Sequence, residues 1–534
     1  MHLENERLLE RILDGKIANL TLFDGYAGAL PKIINVTIIS GLAVSSRIED
    51  PPVWEPFNSD AADRLKVAIT FSPQIWPWTG FMALHLSVRE SSSNFTGTVT
   101  GRVRLTVVSD HFGQRRRASI AFPMRLRIIA TPPRSQRVLW DQYRNLRYPP
   151  GYIPRDDLRE KSNPLDWNGD HPHTNFRLFF QHLRTEGFFL EISGSPLTCI
   201  DLSAYSVYIV VDPEEEYFPT EIDRIRTAVD RDGLNVIVLA DWYNTEVMEK
   251  IKFFDENSKE WWTPETGGAN VPALNTLLAP WGIALDDRVI EGNVTIRDLH
   301  SSIRSGSSIA RAPEGAFLAF ARVTDITDEM ITGDAAQQKN IEVPVSGFIS
   351  VLGDSSCLES KAASVDSCIP LVDLLIDAAA YGVPLSFCEH LTQISSAYSL
   401  PSSSSLPTRK GNGRHFAVLS SVVLAFQGDE ILYHDVPPCR LLPPSFPRII
   451  DNFTFPPDVT DRSHDSFGRI VSSFSSDGRS LGPPSLPLPS VQMAPHPGVA
   501  YIFVVGATII ILVVLIIRIC RLRITRGPLW QRIL

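Results

Sequence analysis

Basic charge is in short supply: 50 Lys and Arg stand against 60 Asp and Glu, a net charge of −10. Phosphate backbones are held by concentrated Lys and Arg, so this balance argues against a nucleic-acid-binding surface. The one basic run, Arg115 to Arg117, reads as a solvated turn between strands. Cysteine is sparse, six in 534 residues, and no pair has zinc-finger spacing. No Gly-x-Gly-x-x-Gly follows a strand, and no Gly-Lys-Ser/Thr phosphate loop, His-Glu-x-x-His or Gly-x-Ser-x-Gly elbow occurs. No catalytic residue, cofactor or metal ligand set is therefore assigned. The first fifteen residues lack the uninterrupted apolar stretch of a signal peptide. The sequence reads as the later part of a longer precursor, and residues 1–30 as a divergent N-terminal segment.

One long hydrophobic run is present. Residues 499–517 (VAYIFVVGATIIILVVLII) carry no formal charge, and a helix of that length spans about 28 Å, close to a bilayer's hydrocarbon core. Arg518, Arg521, Arg523 and Arg526 follow it, whereas residues 490–498 hold no Lys or Arg. The positive-inside rule then orients the chain as a single-pass type I protein, with residues 1–498 luminal and a cytosolic tail over 518–534. Luminal exposure suits five N-x-Ser/Thr sequons, at Asn19, Asn35, Asn94, Asn293 and Asn452. It also suits a disulfide between Cys357 and Cys368, which flank a polar, turn-like stretch. Cys199, Cys388 and Cys439 are an odd number whose pairing the sequence leaves open, and Cys520 lies at the cytosolic edge.

Three compositions divide the rest. Residues 31–132 alternate polar and apolar, as in 102–107 and 124–128, which predicts a β-sandwich-like domain. Trp76 and Trp78 fit aromatic packing at its edge or a carbohydrate or partner contact. Residues 133–388 alternate strand and helix patterns, predicting an open, mostly parallel α/β sheet. Its first helix is expected to carry Phe176, Phe179, Phe180 and Leu183 on one face, capped by Thr174 and ended by Gly187; its second to start at Thr220 with Asp223 as acidic partner. Val236 to Leu239 form an unbroken apolar strand, the pattern of burial on both faces. Residues 389–498, dense in Ser and Pro and broken by an apolar run over 416–426, read as a disordered stalk.

Open parallel sheets take ligands beyond the C-terminal ends of their strands, and Asp212, Asp241 and Asp354 fall at such ends. They suit either metal or acid–base chemistry, or the holding of turns. Residues 167–173, with Asp170, His171 and His173 beside the first helix, offer the same two readings.

Several long strings carry a resemblance. They include residues 131–143 (TPPRSQRVLWDQY), 145–152 (NLRYPPGY), 164–171 (PLDWNGDH), 214–219 (EEEYFP), 241–245 (DWYNT), 266–270 (TGGAN) and 353–357 (GDSSC). In these the chain resembles the site-1 protease family of membrane-bound, subtilisin-like proprotein convertases, over residues 31–388 and downstream of the catalytic domain only. The resemblance implies a type I membrane serine endopeptidase of the Golgi and endoplasmic reticulum that cuts luminal regions of membrane-bound transcription factor precursors. The local patterns of a subtilisin triad are absent from this sequence, so the expected partners are a subtilisin-like catalytic domain upstream, those precursors and the lipid bilayer. The rival expectation is a non-catalytic family member acting as a membrane adaptor or binding protein.

Overall fold

The computed structural model describes residues 24–439, apart from 40–45, 59–62, 76–78, 112–113, 147, 149–154, 161–169, 256–258, 297–298, 333–339, 344–348, 360–367, 382–391, 400–405, 411–413 and 428–429. Trp76, Trp78, Asn19, Cys388, Asn452, Cys520 and the apolar run at 499–517 lie outside the described residues.

The first domain packs two antiparallel-rich sheets face to face. One holds Lys32–Ile39, Thr79–Val88 and Leu65–Phe71; the other is built on the long hairpin Gly97–His111 and Gln114–Ile128. The period of two sends Val99, Val103 and Leu105 inward against Met82 and Leu84. It leaves Arg102 and Arg104 outside, both bonded to Glu55. Gly101 faces Trp54, whose ring atom would stand 2.4 Å from any Cβ there. The domain starts earlier than the sequence suggested. Asp24–Gly25 pairs in parallel with Arg127 and Ile128, so part of the segment set aside as divergent belongs to the fold.

The second domain has a five-stranded, all-parallel sheet: β1 (Arg137–Asp141), β2 (Phe189–Ser193), β3 (Val207–Val211), β4 (Asn235–Leu239) and β5 (Ile349–Leu352), in the order β2-β1-β3-β4-β5. Both faces are covered. Trp140, Ile209 and Leu239 point to α1 (Arg177–Thr185) and, further along the chain, to the helix Ile369–Tyr381. Leu139, Tyr208 and Val238 point to α2 (Pro219–Asp232) and the helix Val271–Leu278. Double burial is why these strands read as unbroken apolar runs.

Two capping expectations change. Thr174 does not cap α1; its hydroxyl bonds the His171 carbonyl, while Gly187 (φ 95°) ends the helix region as expected. At α2 the start is Pro219, and the Glu221 carboxylate reaches back to the Phe218 N–H at 2.9 Å, a role the sequence reading gave to Asp223. A four-stranded antiparallel ribbon from Ile290–Ile296 to Asn340–Val343, inserted ahead of β5, was not foreseen.

The segment expected to be stalk from 389 also folds in part. Helix Arg414–Leu419 and hairpin Val423–Gln427/Glu430–Tyr433 lie against the α/β domain, with Phe416 and Val423 buried beside Leu146. Phe416 and Val423, from that apolar run, give the segment a buried anchor despite the Ser and Pro around it. Cys439 bonds Cys199, which resolves the pairing the sequence left open, and Cys357 bonds Cys368 as expected.

The two domains meet around Glu191 on β2. It accepts from the Tyr26 hydroxyl and the Leu30 N–H of the first domain, and from Arg137 and the Tyr205 hydroxyl of the second.

Candidate functional site

In a β2-β1-β3-β4-β5 order the chain reverses direction across the sheet between β1 and β3, and the crevice beyond their C-terminal ends is where such folds take ligands. Five acidic residues gather there. β1 ends on Asp141, β3 runs into Asp212, β4 into Asp241 and β5 into Asp354, while Glu214 follows Asp212. Asp212 is held at φ 40°, an uncommon conformation for a side chain-bearing residue, at the sharp turn off its strand.

Close backbone approach builds the wall. The loop over residues 266–270 lies directly on β4's end: a Cβ at Gly268 would stand 2.5 Å from Asp241 Oδ1, and one at Gly267 2.2 Å from the Trp242 carbonyl. That contact explains the paired glycines of the string.

The three foreseen aspartates lie within electrostatic reach of one another, and one hydroxyl joins two of them. The Ser355 hydroxyl donates to Asp212 Oδ2 at 2.5 Å and stands 3.4 Å from Asp241 Oδ2. Asp354 instead holds a turn, accepting from the Ser356 N–H and hydroxyl and from the Arg304 N–H. Asp141 is likewise occupied, by the Tyr143 N–H, the Tyr208 hydroxyl and Arg144. Arg144 is itself buried and bonds Glu221 at 2.5 Å, so its charge serves the wall rather than the crevice.

Asp156 and Asp170 join Asp212 and Asp241. Asp156 is 1% exposed, and as a carboxylate neither of its oxygens has a donor; Asp170 Oδ2 and Asp212 Oδ1 are in the same position. Burial, reinforced by Asp170, Asp241 and Asp212, pushes the Asp156 carboxyl well above the ordinary range. Burial likewise raises Asp212 and Asp241, each helped by neighbouring carboxylates, and lifts Asp170 to about 6. A protonated Asp156 can donate to Asp170, which is how such a pair avoids two buried charges. His171 brings no compensating charge: burial and His173 push it down to about 4. The crevice thus gathers buried carboxyl groups whose ionisation is opposed by burial and by one another. Among the described residues no three His, Cys, Asp or Glu side chains are grouped so as to hold a metal ion.

Residues 406–410, the helix Arg414–Leu419 and the hairpin Val423–Gln427/Glu430–Tyr433 form a strap over the acidic run 214–216 at the outer edge of this crevice. Arg409 forks onto Glu216, Ser420 and Ser421 bond Glu215, and Leu146 N–H bonds Glu214, so each member of the acidic run 214–216 has its own partner. Asp156 carried no sequence signal, being one of several acids in a polar loop beside Asp157 and Glu160. The strap's one signal was the apolar run over 416–426.

Three comparisons bear on this arrangement. The model described as "MBTPS1, third Ig-like domain" matches residues 22–131, and that described as "MBTPS1, fourth GATase-like domain" matches residues 132–386. The mouse protein named membrane-bound transcription factor site-1 protease is 42% identical over 418 residues, covering 76% of this chain and 39% of the mouse chain. The Arabidopsis thaliana subtilisin-like protease SBT6.1 is 39% identical over 412 residues, covering 74% and 39%. The chain thus spans about two fifths of the length of these curated relatives. Among solved structures, the mmIFT52 N-terminal domain aligns over 46% of this chain and 98% of its own at 12% identity, with a TM-score of 0.29, too low to inform the fold.

Proposed function

The chain belongs to the site-1 protease family over residues 22–386, and on that premise we propose that it is the ancillary ectodomain of a membrane-bound, subtilisin-like serine endopeptidase. The catalytic domain lies upstream in such a protein, and these two domains brace it or shape substrate access. The substrates are luminal regions of membrane-bound transcription factor precursors. The setting is the Golgi and endoplasmic reticulum, with residues 499–517 as the membrane anchor.

The observation that carries this reading is the Glu191 junction. Its carboxylate is 1% exposed and takes donors from both domains, so the Ig-like and GATase-like domains form a fixed pair, as a brace requires. Two features support a luminal setting. Asn35, Asn94 and Asn293, the sequons within the described residues, are all exposed, and two disulfides are formed.

Sequencing the 5′ end of the transcript tests the reading. The expected result is one open frame running upstream through a subtilisin-like domain. A transcript whose mature product carries only these domains would favour a membrane adaptor instead.

A further inference from the structure

We propose that the edge of the α/β domain beside Glu216 is a docking groove for an extended basic peptide, and that residues 408–410 of this chain are its occupant in cis. The inference does not depend on the protease reading.

Three consecutive residues are read at three separate points. The Tyr243 hydroxyl donates to the Thr408 carbonyl at 2.9 Å, fixing the main chain. Arg409 donates from Nε and Nη2 to the two oxygens of Glu216 at 2.7 and 3.0 Å, a bidentate fork on a carboxylate only 2% exposed. Lys410 Nζ donates to Thr263 Oγ1 at 2.9 Å and to the Pro264 carbonyl at 3.0 Å. Planar, charge-assisted pairing for Arg, point acceptors for the ammonium and one main-chain hydrogen bond are the elements of peptide recognition. Lys would not replace Arg at Glu216, because only the guanidinium fork spans both oxygens.

The segment depends on these contacts. Residues 406–410 belong to no helix or strand. The strap beyond them is anchored elsewhere: Phe416 and Val423 in the Leu146 cluster, Ser420 and Ser421 on Glu215, and Cys439 through its disulfide. Residues 408–410 can therefore leave the groove while the strap stays in place. Phe416 and Phe426, rings 5.9 Å apart, line the same groove beside Glu216 and Tyr243. The groove lies at the C-terminal edge of the sheet, beside the crevice where folds of this order take ligands. A tethered occupant competes at an effective concentration on the order of millimolar, so a second peptide binds appreciably only once residues 408–410 are displaced.

The test uses the luminal chain with its disulfides, the variant Arg409→Ser/Lys410→Ser, and a labelled peptide LPTRKG followed by fluorescence anisotropy. The emptied groove is expected to bind the peptide at least tenfold more tightly than the unmodified chain does. Changing the peptide to LPTAKG, or adding Glu216→Gln to the variant, is expected to remove at least that factor. Equal binding to both chains, or no discrimination between the two peptides, overturns the proposal. Hydrogen exchange on the unmodified chain keeps the test open if the variant misfolds. Excess LPTRKG is expected to raise exchange at the amides of residues 408–410 and nowhere else in the strap. Unchanged exchange at saturating peptide overturns the proposal as well.

Discussion

The Tyr26 hydroxyl of the Ig-like domain donates to Glu191 Oε1 of the α/β domain at 2.5 Å, and Arg137 Nη2 reaches the same oxygen at 2.8 Å. Arg137 Nη2 also reaches back to the Gly28 carbonyl at 2.8 Å, so the junction is held from both sides. A carboxylate this deeply buried is stable only while its donors stay in place.

Tyr26→Phe removes one donor and leaves three, so a loss of about 1–3 kcal/mol is expected. Arg137→Ala strips the buried carboxylate of its counter-charge and is expected to cost more, about 3–5 kcal/mol. Thermal unfolding followed by near-UV circular dichroism checks the order. Proteolysis between residues 131 and 137 is expected to accelerate in both variants, because that stretch links the domains.

The aspartate crevice makes stability depend on pH in a definite direction. An Asp whose folded pKa is raised binds more protons folded than unfolded, so its contribution is favourable in acid and lost as pH rises from its unfolded value through its folded one. For Asp170 that window runs from about 4 to about 6; for Asp156, Asp212 and Asp241 it extends further up. His171, depressed to about 4, acts oppositely: folding stability falls as pH drops from about 6.5 towards 4. Asp156→Asn keeps the shape and removes the ionisable group whose raised pKa costs stability at neutral pH. It is expected to raise the melting temperature at pH 7.5 by several degrees, equivalent to about 1–3 kcal/mol. It should change little at pH 4.5. An equal shift at both pH values would contradict the assignment.

Much of this architecture was legible in sequence, for physical reasons. Val236 to Leu239 had to be buried on both faces, and the Phe176, Phe179, Phe180 and Leu183 spacing had to be one helix face; all of these residues are buried. The site was legible only in part. Strand-end position identified Asp212 and Asp241, yet it identified Asp354 equally well, and Asp354 holds a turn. What separates them is which donors lie within reach: Ser356 holds Asp354 locally, whereas Arg304 of the inserted ribbon on Asp354 and Ser355 on Asp212 are brought close only by tertiary folding. Asp156 and the Arg409–Glu216 pair were illegible because their partners are far away in sequence. The strap was hidden by composition: Ser and Pro signalled disorder, while Phe416 and Val423 found a cluster that no local window shows.

The Cys199–Cys439 disulfide closes the strap onto the body across 240 residues of sequence. Cys199→Ser/Cys439→Ser is expected to lose about 2–4 kcal/mol. Trypsin cleavage after Arg409 or Lys410 should become rapid, because both side chains then leave Glu216 and Pro264 more readily. Mass spectrometry of the early fragments identifies the sites. Cleavage at unchanged rates would show that the Leu146 cluster and the hydrogen bonds hold the strap without the disulfide.

Glycan attachment at Asn35, Asn94 and Asn293 is expected in cells, each being exposed. Removing them one at a time by Asn→Gln is expected to step the chain down in mass on gels. Glycosidase treatment should then collapse those steps to one band.

The most direct test places these domains where the account says they work. In cells lacking site-1 protease, a family protease whose corresponding region is replaced by residues 22–439 of this chain is expected to restore cleavage of a membrane-bound transcription factor precursor, while the chain alone restores none. Cleavage by the chain alone, or a folded and correctly localised chimera that leaves the precursor intact, would contradict the ancillary role.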